Sequence, residues 1–184
     1  MTTLYIVAVG PVPPEPMEWI QAAAAEWFPF PIQRLETLAI PENAYNTARG
    51  QYESVEIMKA LARTAPRDTA RILGVTAADL AIPMLSFLFG QAQLDGIVAL
   101  VSLCRLRQEF YDLLSDEVLF RERTVKETLH ELGHTFGLTH CHDARCPMSL
   151  ATDIVLVDSK NERYCARCGA YLARRFASFN GAHS

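Results

Sequence analysis

His130-Glu131-Leu132-Gly133-His134-Thr135-Phe136-Gly137-Leu138-Thr139-His140 is the stretch on which the reading of this chain turns. Residues four apart on an α-helix lie about 40° apart around its axis. His130 and His134 therefore share one face, one turn apart, and can hold one metal ion. Glu131 projects beside them, placed to act on a metal-bound water rather than to bind the metal. Gly137 suits a helix end in the left-handed conformation, after which the chain can turn back and bring His140 to the same ion. Three neutral imidazoles suit zinc and leave a fourth position for water, whose pKa the ion lowers toward ~7. Glu131 is then the candidate general base, passing the proton to a leaving amine. The long pattern H-E-x-x-H-x-x-G-x-x-H is far more specific than its first half. The competing readings are scattered histidines on a surface helix and a zinc site that binds without turnover.

Downstream, Cys141 and Cys146 form a C-x₄-C pair, and Cys165 and Cys168 form a C-x₂-C pair. Two such knuckles fit a closed tetrahedral structural zinc site. Cys141 directly follows His140, so both ions would pin one loop. A redox-active Cys165/Cys168 pair and unligated thiols are the alternatives. The fifth cysteine, Cys104, ends an apolar run and reads as a small buried hydrophobe. His142 falls outside the ligand spacing and reads as a loop residue, and His183 as part of a polar terminus. Met148 follows Cys146-Pro147, a turn-prone pair.

Outward from this centre, helical periodicity runs over Asp116–Phe136. Leu4–Val9, Ile32–Ile40, Ala70–Val75, Met84–Phe89 and Ile97–Leu103 read as strands. Pro16–Phe28, Gln51–Thr64 and Glu162–Phe176 read as helices, and Asn43–Gly50 as a polar loop. The order β-α-β-α-β-β-β-α with a loop-rich tail implies a mixed α/β (α+β) layer. It is read as a single domain, 1–184, with an N-terminal lobe of about 1–137 and a small C-terminal lobe of about 138–184.

Of the 184 residues half are apolar, enough to bury a core without help from metals. A formal net charge of −4 argues against a nucleic-acid or anionic-membrane partner. Arg145, Arg163, Arg167, Arg174 and Arg175 give local positive charge and read as a solvated face, with a nucleic-acid-binding zinc ribbon as the alternative. No basic, apolar leader opens the chain and no run is long enough to span a bilayer. The expected setting is the reducing cytoplasm, where clustered cysteines bind metal rather than form disulfides.

The histidine motif with Cys141, Cys146, Met148, Cys165 and Cys168 interleaved resembles the archaemetzincin family of metzincin-type zinc metallopeptidases. Asn46–Tyr52 (NTARGQY), Gly74–Asp79 (GVTAAD), Phe87–Gly90 (FLFG) and Ser102–Arg107 (SLCRLR) are similar to it as well. The resemblance implies a metzincin-like zincin fold: a mixed twisted sheet, an active-site helix and a zinc-stabilised C-terminal lobe. It implies two zinc ions per chain, one catalytic on His130, His134 and His140, one structural on the four cysteines. Met148 would be the apolar floor of a Met-turn beneath the histidines. Phe87, Leu88, Phe89 and Gly90 would lie at the edge strand along which a peptide docks. Some metzincins carry a zinc-binding tyrosine two residues past that methionine; Leu150 stands there, so no such switch is expected. The expected activity is peptide-bond hydrolysis on a peptide or protein substrate by a monomer, endo- and aminopeptidase action both left open. A weak or inactive zinc module that binds peptides is the alternative.

Overall fold

The computed structural model describes residues 2–181; His183 lies outside them. The chain runs β1 (Thr3–Val9), α1 (Pro14–Trp27), β2 (Ile32–Arg34), β3 (Tyr45–Asn46), β4 (Gln51–Glu53), α2 (Ser54–Thr64), β5 (Thr69–Thr76), β6 (Leu80–Ile82), β7 (Leu85–Leu88), β8 (Gly90–Ala92), β9 (Val98–Ser102), α3 (Glu117–Thr135), α4 (Ile154–Ser159) and α5 (Ala166–Gly181).

The main sheet has the order β2-β1-β5-β9-β8. Its first four strands are parallel and β8 closes one edge antiparallel to β9. Side chains alternate between faces along each strand. Leu4, Ile6, Leu73, Val75, Ala99 and Val101 point to the layer that holds α1 and α3. Tyr5, Val7, Ile72, Val98 and Leu100 point to the layer that holds α2. With both faces covered, the inner strands read as continuous apolar runs, which is why the sequence marks them so clearly. A smaller sheet, β3-β4-β6-β7, flanks the first.

α3 is the central helix. Asp116 caps it, accepting from the Leu119 N–H at 2.9 Å. Phe120, Val125, Leu129, Leu132 and Phe136 pack it into the larger core. Its last two turns are buried nearly all round, as expected of a helix enclosed by other elements. None of the helices is long and apolar enough to cross a membrane, among the described residues.

The structure corrects several expectations. Only Ile32–Arg34 of the expected strand Ile32–Ile40 forms β2; beyond it the chain keeps single bonds, Leu35 N–H to Ile6 and Leu38 N–H to Ala8. Gln51–Glu53 is drawn out of the expected helix because Tyr52 and Glu53 pair with Leu80 and Ala81. The loop Asn43–Gly50 contains β3, which pairs with β4. Met84 is 87 % exposed at the β6–β7 turn rather than inside a strand. The last helix begins at Ala166 rather than Glu162 and runs to Gly181; just before it Cys165 is drawn into the four-cysteine cluster. Cys104 is half-buried at the start of a 3-10 turn, not at the end of a strand.

Candidate active site and metal centres

His130, Glu131 and His134 stand on the last turns of α3. The helix ends in a Schellman turn: Leu138 N–H bonds Gly133 O at 3.1 Å and Gly137 N–H bonds His134 O at 2.9 Å. Gly137 supplies the required positive φ of 92°. The reversal brings His140 back, its ring centroid 5.5 Å from that of His130 and 5.1 Å from that of His134. One ring nitrogen from each of the three residues lies within 4.8 Å of the other two.

The tautomers follow from their partners. His130 Nδ1 lies 2.7 Å from Pro147 O, and His134 Nδ1 lies 2.7 Å from Leu138 O. Carbonyls only accept, so both Nδ1 atoms carry the proton and both Nε2 atoms present lone pairs. Those two Nε2 atoms are 3.1 Å apart. Two lone pairs so close repel each other unless a cation lies between them. Tetrahedral zinc with bonds of about 2.0–2.1 Å sets its ligand nitrogens roughly 3.3–3.4 Å apart. Burial lowers the pKa of His130, His134 and His140, and the Lys160 ammonium lowers each further. All three are held in the neutral form that binds metal.

The loop after His140 is closed on itself. Cys141 N–H bonds Met148 O at 2.9 Å, and Ser149 N–H bonds Cys146 O at 2.9 Å. Met148 is fully buried beneath α3 at Gly133, where an added Cβ would meet its Sδ at 2.5 Å. Only glycine lets the methionine approach the helix at that level.

Cys141, Cys146, Cys165 and Cys168 offer four sulfurs within 4.8 Å of one another. Cys141 and Cys165 Sγ are 3.7 Å apart, close to the ~3.8 Å edge of a zinc tetrathiolate with bonds of about 2.3 Å. Burial pushes the Cys141 thiol up. The Asp143 backbone N–H, Arg167 and the neighbouring thiols outweigh it and bring the pKa down to about 7. Arg167 NH2 lies 3.4 Å from that sulfur, so this arginine of the expected solvated face supports the cluster. Cys146 and Cys168 are held up mainly by burial, which leaves their deprotonation to a metal. His142 is exposed and outside both clusters.

A cavity of about 580 Å³ opens in front of the histidines. Phe87, Leu88, Phe89 and Gly90 all line it, divided between two sheets. Phe87 and Leu88 belong to β7, and Gly90 begins β8, the free edge of the main sheet. Leu150, Ala151 and Thr152 line it as well. Glu131, only 4 % exposed, lies against β8: an added Cβ at Gly90 would stand 2.6 Å from its Oε1. Burial raises the Glu131 pKa well above the carboxylate range; Glu127 adds to the rise and Lys160 opposes it.

The four segments of family resemblance meet behind this wall. Arg49 donates to the carbonyls of Ile82, Leu85 and Ser86, at 2.9, 2.6 and 3.0 Å. Gln51 Nε2 donates to Asp79 Oδ2 and to Ser86 O, both at 2.9 Å. Arg105 holds Asp79 through two bonds, at 2.7 and 2.8 Å, and stacks on Phe87 at 4.3 Å. The segments are recognisable in the sequence but the strap is not, since no motif joins positions 49, 79 and 105. Nor does a motif mark Glu127, legible one turn before Glu131 on the same helix face, or Lys160, for which no local signal exists.

Comparison with known proteins agrees with this geometry. The sequence model of Peptidase family M54 matches residues 20–174. The archaemetzincin of Methanocaldococcus jannaschii is 41 % identical over 163 residues, covering 89 % of this chain and 88 % of that protein. The crystal structure of the archaemetzincin of Methanopyrus kandleri superposes with a TM-score of 0.84 at 36 % identity, covering 96 % of each chain. A zinc-dependent peptidase from Methanocorpusculum labreanum superposes with a TM-score of 0.82 at 28 % identity, covering 92 % of this chain and 99 % of that one. The mixed α/β fold is theirs, and the two donor clusters suit two zinc ions.

Proposed function

We propose, since the chain belongs to peptidase family M54, the archaemetzincins, that its zinc-dependent peptidase activity runs through Glu131 as general base, with His130, His134 and His140 as the ligands of the catalytic zinc. The observation that carries this reading is the pair of unprotonated Nε2 atoms 3.1 Å apart, with a buried carboxylate from the intervening turn facing the same cavity.

When bound, zinc supplies a Lewis acid that acidifies water toward a pKa of ~7 and polarises a carbonyl. The carbonyls of Pro147 and Leu138 fix the ring orientation of His130 and His134 and direct their Nε2 atoms into the cleft. Glu131 takes the proton from the attacking water and delivers it to the departing amine nitrogen. The peptide lies extended along the open edge of β8, backbone to backbone, with Phe87–Gly90 as its bed. The strap of Arg49, Gln51 and Arg105 keeps that bed from shifting. Cys141, Cys146, Cys165 and Cys168 hold the second zinc, which fixes the loop carrying His140 and Met148. Thiols used as ligands fit a reducing, cytoplasmic setting.

Mass spectrometry of a peptide library incubated with the zinc-loaded protein tests the reading. Cleavage that a chelator abolishes and added zinc restores is the expected result. Tight peptide binding with no cleavage of any library member would instead make the protein a zinc-dependent peptide-binding module.

A further inference from the structure

One buried ion pair shares the cleft with the histidines. Lys160 Nζ donates to Glu127 Oε1 at 3.1 Å; the Lys160 side chain is 0 % exposed and that of Glu127 4 %. Both residues line the cavity. Glu127 lies on α3 one turn before Glu131, and Lys160 follows the end of α4. Neighbouring contacts already join these helices without the pair: Arg123 binds Asp158 through two bonds, at 2.6 and 2.7 Å, and Lys126 Nζ reaches Asp158 O at 3.2 Å. Those groups do not line the cavity, whereas Glu127 and Lys160 do. Glu127 Oε2 has no hydrogen-bond partner among the described residues, and it is not sealed from solvent. The cavity wall beside the catalytic residues thus carries a carboxylate with one oxygen on the Lys160 ammonium and the other without a partner among the described residues.

The geometry points to Glu127 and Lys160 as the specificity determinant of the cleft: a substrate side chain with an uncharged N–H donor, the carboxamide of Gln or Asn, bonds Glu127 Oε2. This assignment rests on the peptidase reading. An acidic side chain meets the Glu127 carboxylate. A basic one brings a second cation to a carboxylate that Lys160 already neutralises. An apolar one strips water from Oε2 and returns no hydrogen bond, the costly case for a buried polar group. Sites built to bond a substrate N–H or O–H reject analogues that lack it far more strongly than apolar pockets sort by size.

The test is calorimetric binding of peptide hydroxamates to the zinc-loaded protein, alike except for one side chain next to the zinc-chelating group: Gln, Leu, Glu or Lys. The Gln compound should bind at least about tenfold more tightly than the other three. Replacing both charges, Glu127→Met with Lys160→Met, leaves no buried unpaired ion, a change that folds tolerate, and should place Leu first. Glu127→Gln alone leaves the Lys160 charge unbalanced and should move the Glu compound ahead of Leu. A parent protein that prefers Leu, an order unchanged in both variants, or no binding by any of the four compounds overturns the assignment. Binding needs no turnover, so the two readings fail separately. The expected order without peptide cleavage sinks the hydrolysis reading alone; cleavage with a flat order sinks this one alone.

Discussion

His140 and Cys141 are neighbours in the chain, yet they serve two donor clusters built on opposite plans. The histidine cluster takes two of its three donors from a single rigid helix and faces a cavity of about 580 Å³. The cysteine cluster takes its four donors from a closed loop and from the start of α5, and none of them lines that cavity. Three donors beside open space leave zinc a position for chemistry; four sulfurs away from the cleft leave none. On the proposed reading, one region reacts and the other holds the first in register.

The largest expected effect breaks the contrast on the reactive side. Glu131→Gln keeps the shape of the side chain and removes the base. Peptide cleavage should fall by roughly 10²–10⁴-fold, while metal analysis still finds two zinc ions per chain. Parent-like cleavage would remove Glu131 from the proton transfer. His134→Ala should lower the metal count from two to one with little change in melting temperature, because the core around α3 does not depend on that ion.

Cys168→Ser should also lower the count to one, but at a structural cost. Loss of a site that closes the Cys141–Met148 loop is expected to remove about 3 kcal/mol, a drop in Tm of roughly 6–12 °C. Equal Tm losses in the histidine and cysteine variants would erase the distinction between the clusters. The smallest effect sharpens it. Gly133→Ala pushes a Cβ into Met148 Sδ and should cost about 1–3 kcal/mol. Zinc affinity should weaken at the histidines and stay as it is at the cysteines, measured by competition with a chelator.

Much of this arrangement is legible in the sequence, for identifiable reasons. α3 is bounded by an Asp cap and a Gly turn and carries its period throughout, and the observed helix differs from the expected one only in its capping residues. β1, β5 and β9 are buried on both faces, so their apolar runs stand out. The misses fall where tertiary contacts override local preference. Ile154–Ser159 reads IVLVDS, rich in β-formers, yet forms α4, which α3 holds through the Arg123–Asp158 bonds and which buries Val157 in the core; the Asp153 cap is the one local signal for it. Gln51–Glu53 has helical spacing but pairs with β6, a strand of three residues too short to announce itself. At the site, the donors are legible because a short loop joins them. The Arg49 strap and the Lys160–Glu127 pair join positions at least 26 residues apart, and no local pattern encodes such a contact.

Anomalous X-ray scattering at the zinc edge from crystals grown with zinc tests the central claim most directly. Two peaks are predicted. One is surrounded by four sulfurs; the other has His130, His134 and His140 nitrogens at about 2.0–2.1 Å, with Glu131 outside bonding range and the remaining position facing the cleft. A single peak, or a histidine-bound ion whose fourth position is filled by Glu131 itself, would contradict the account.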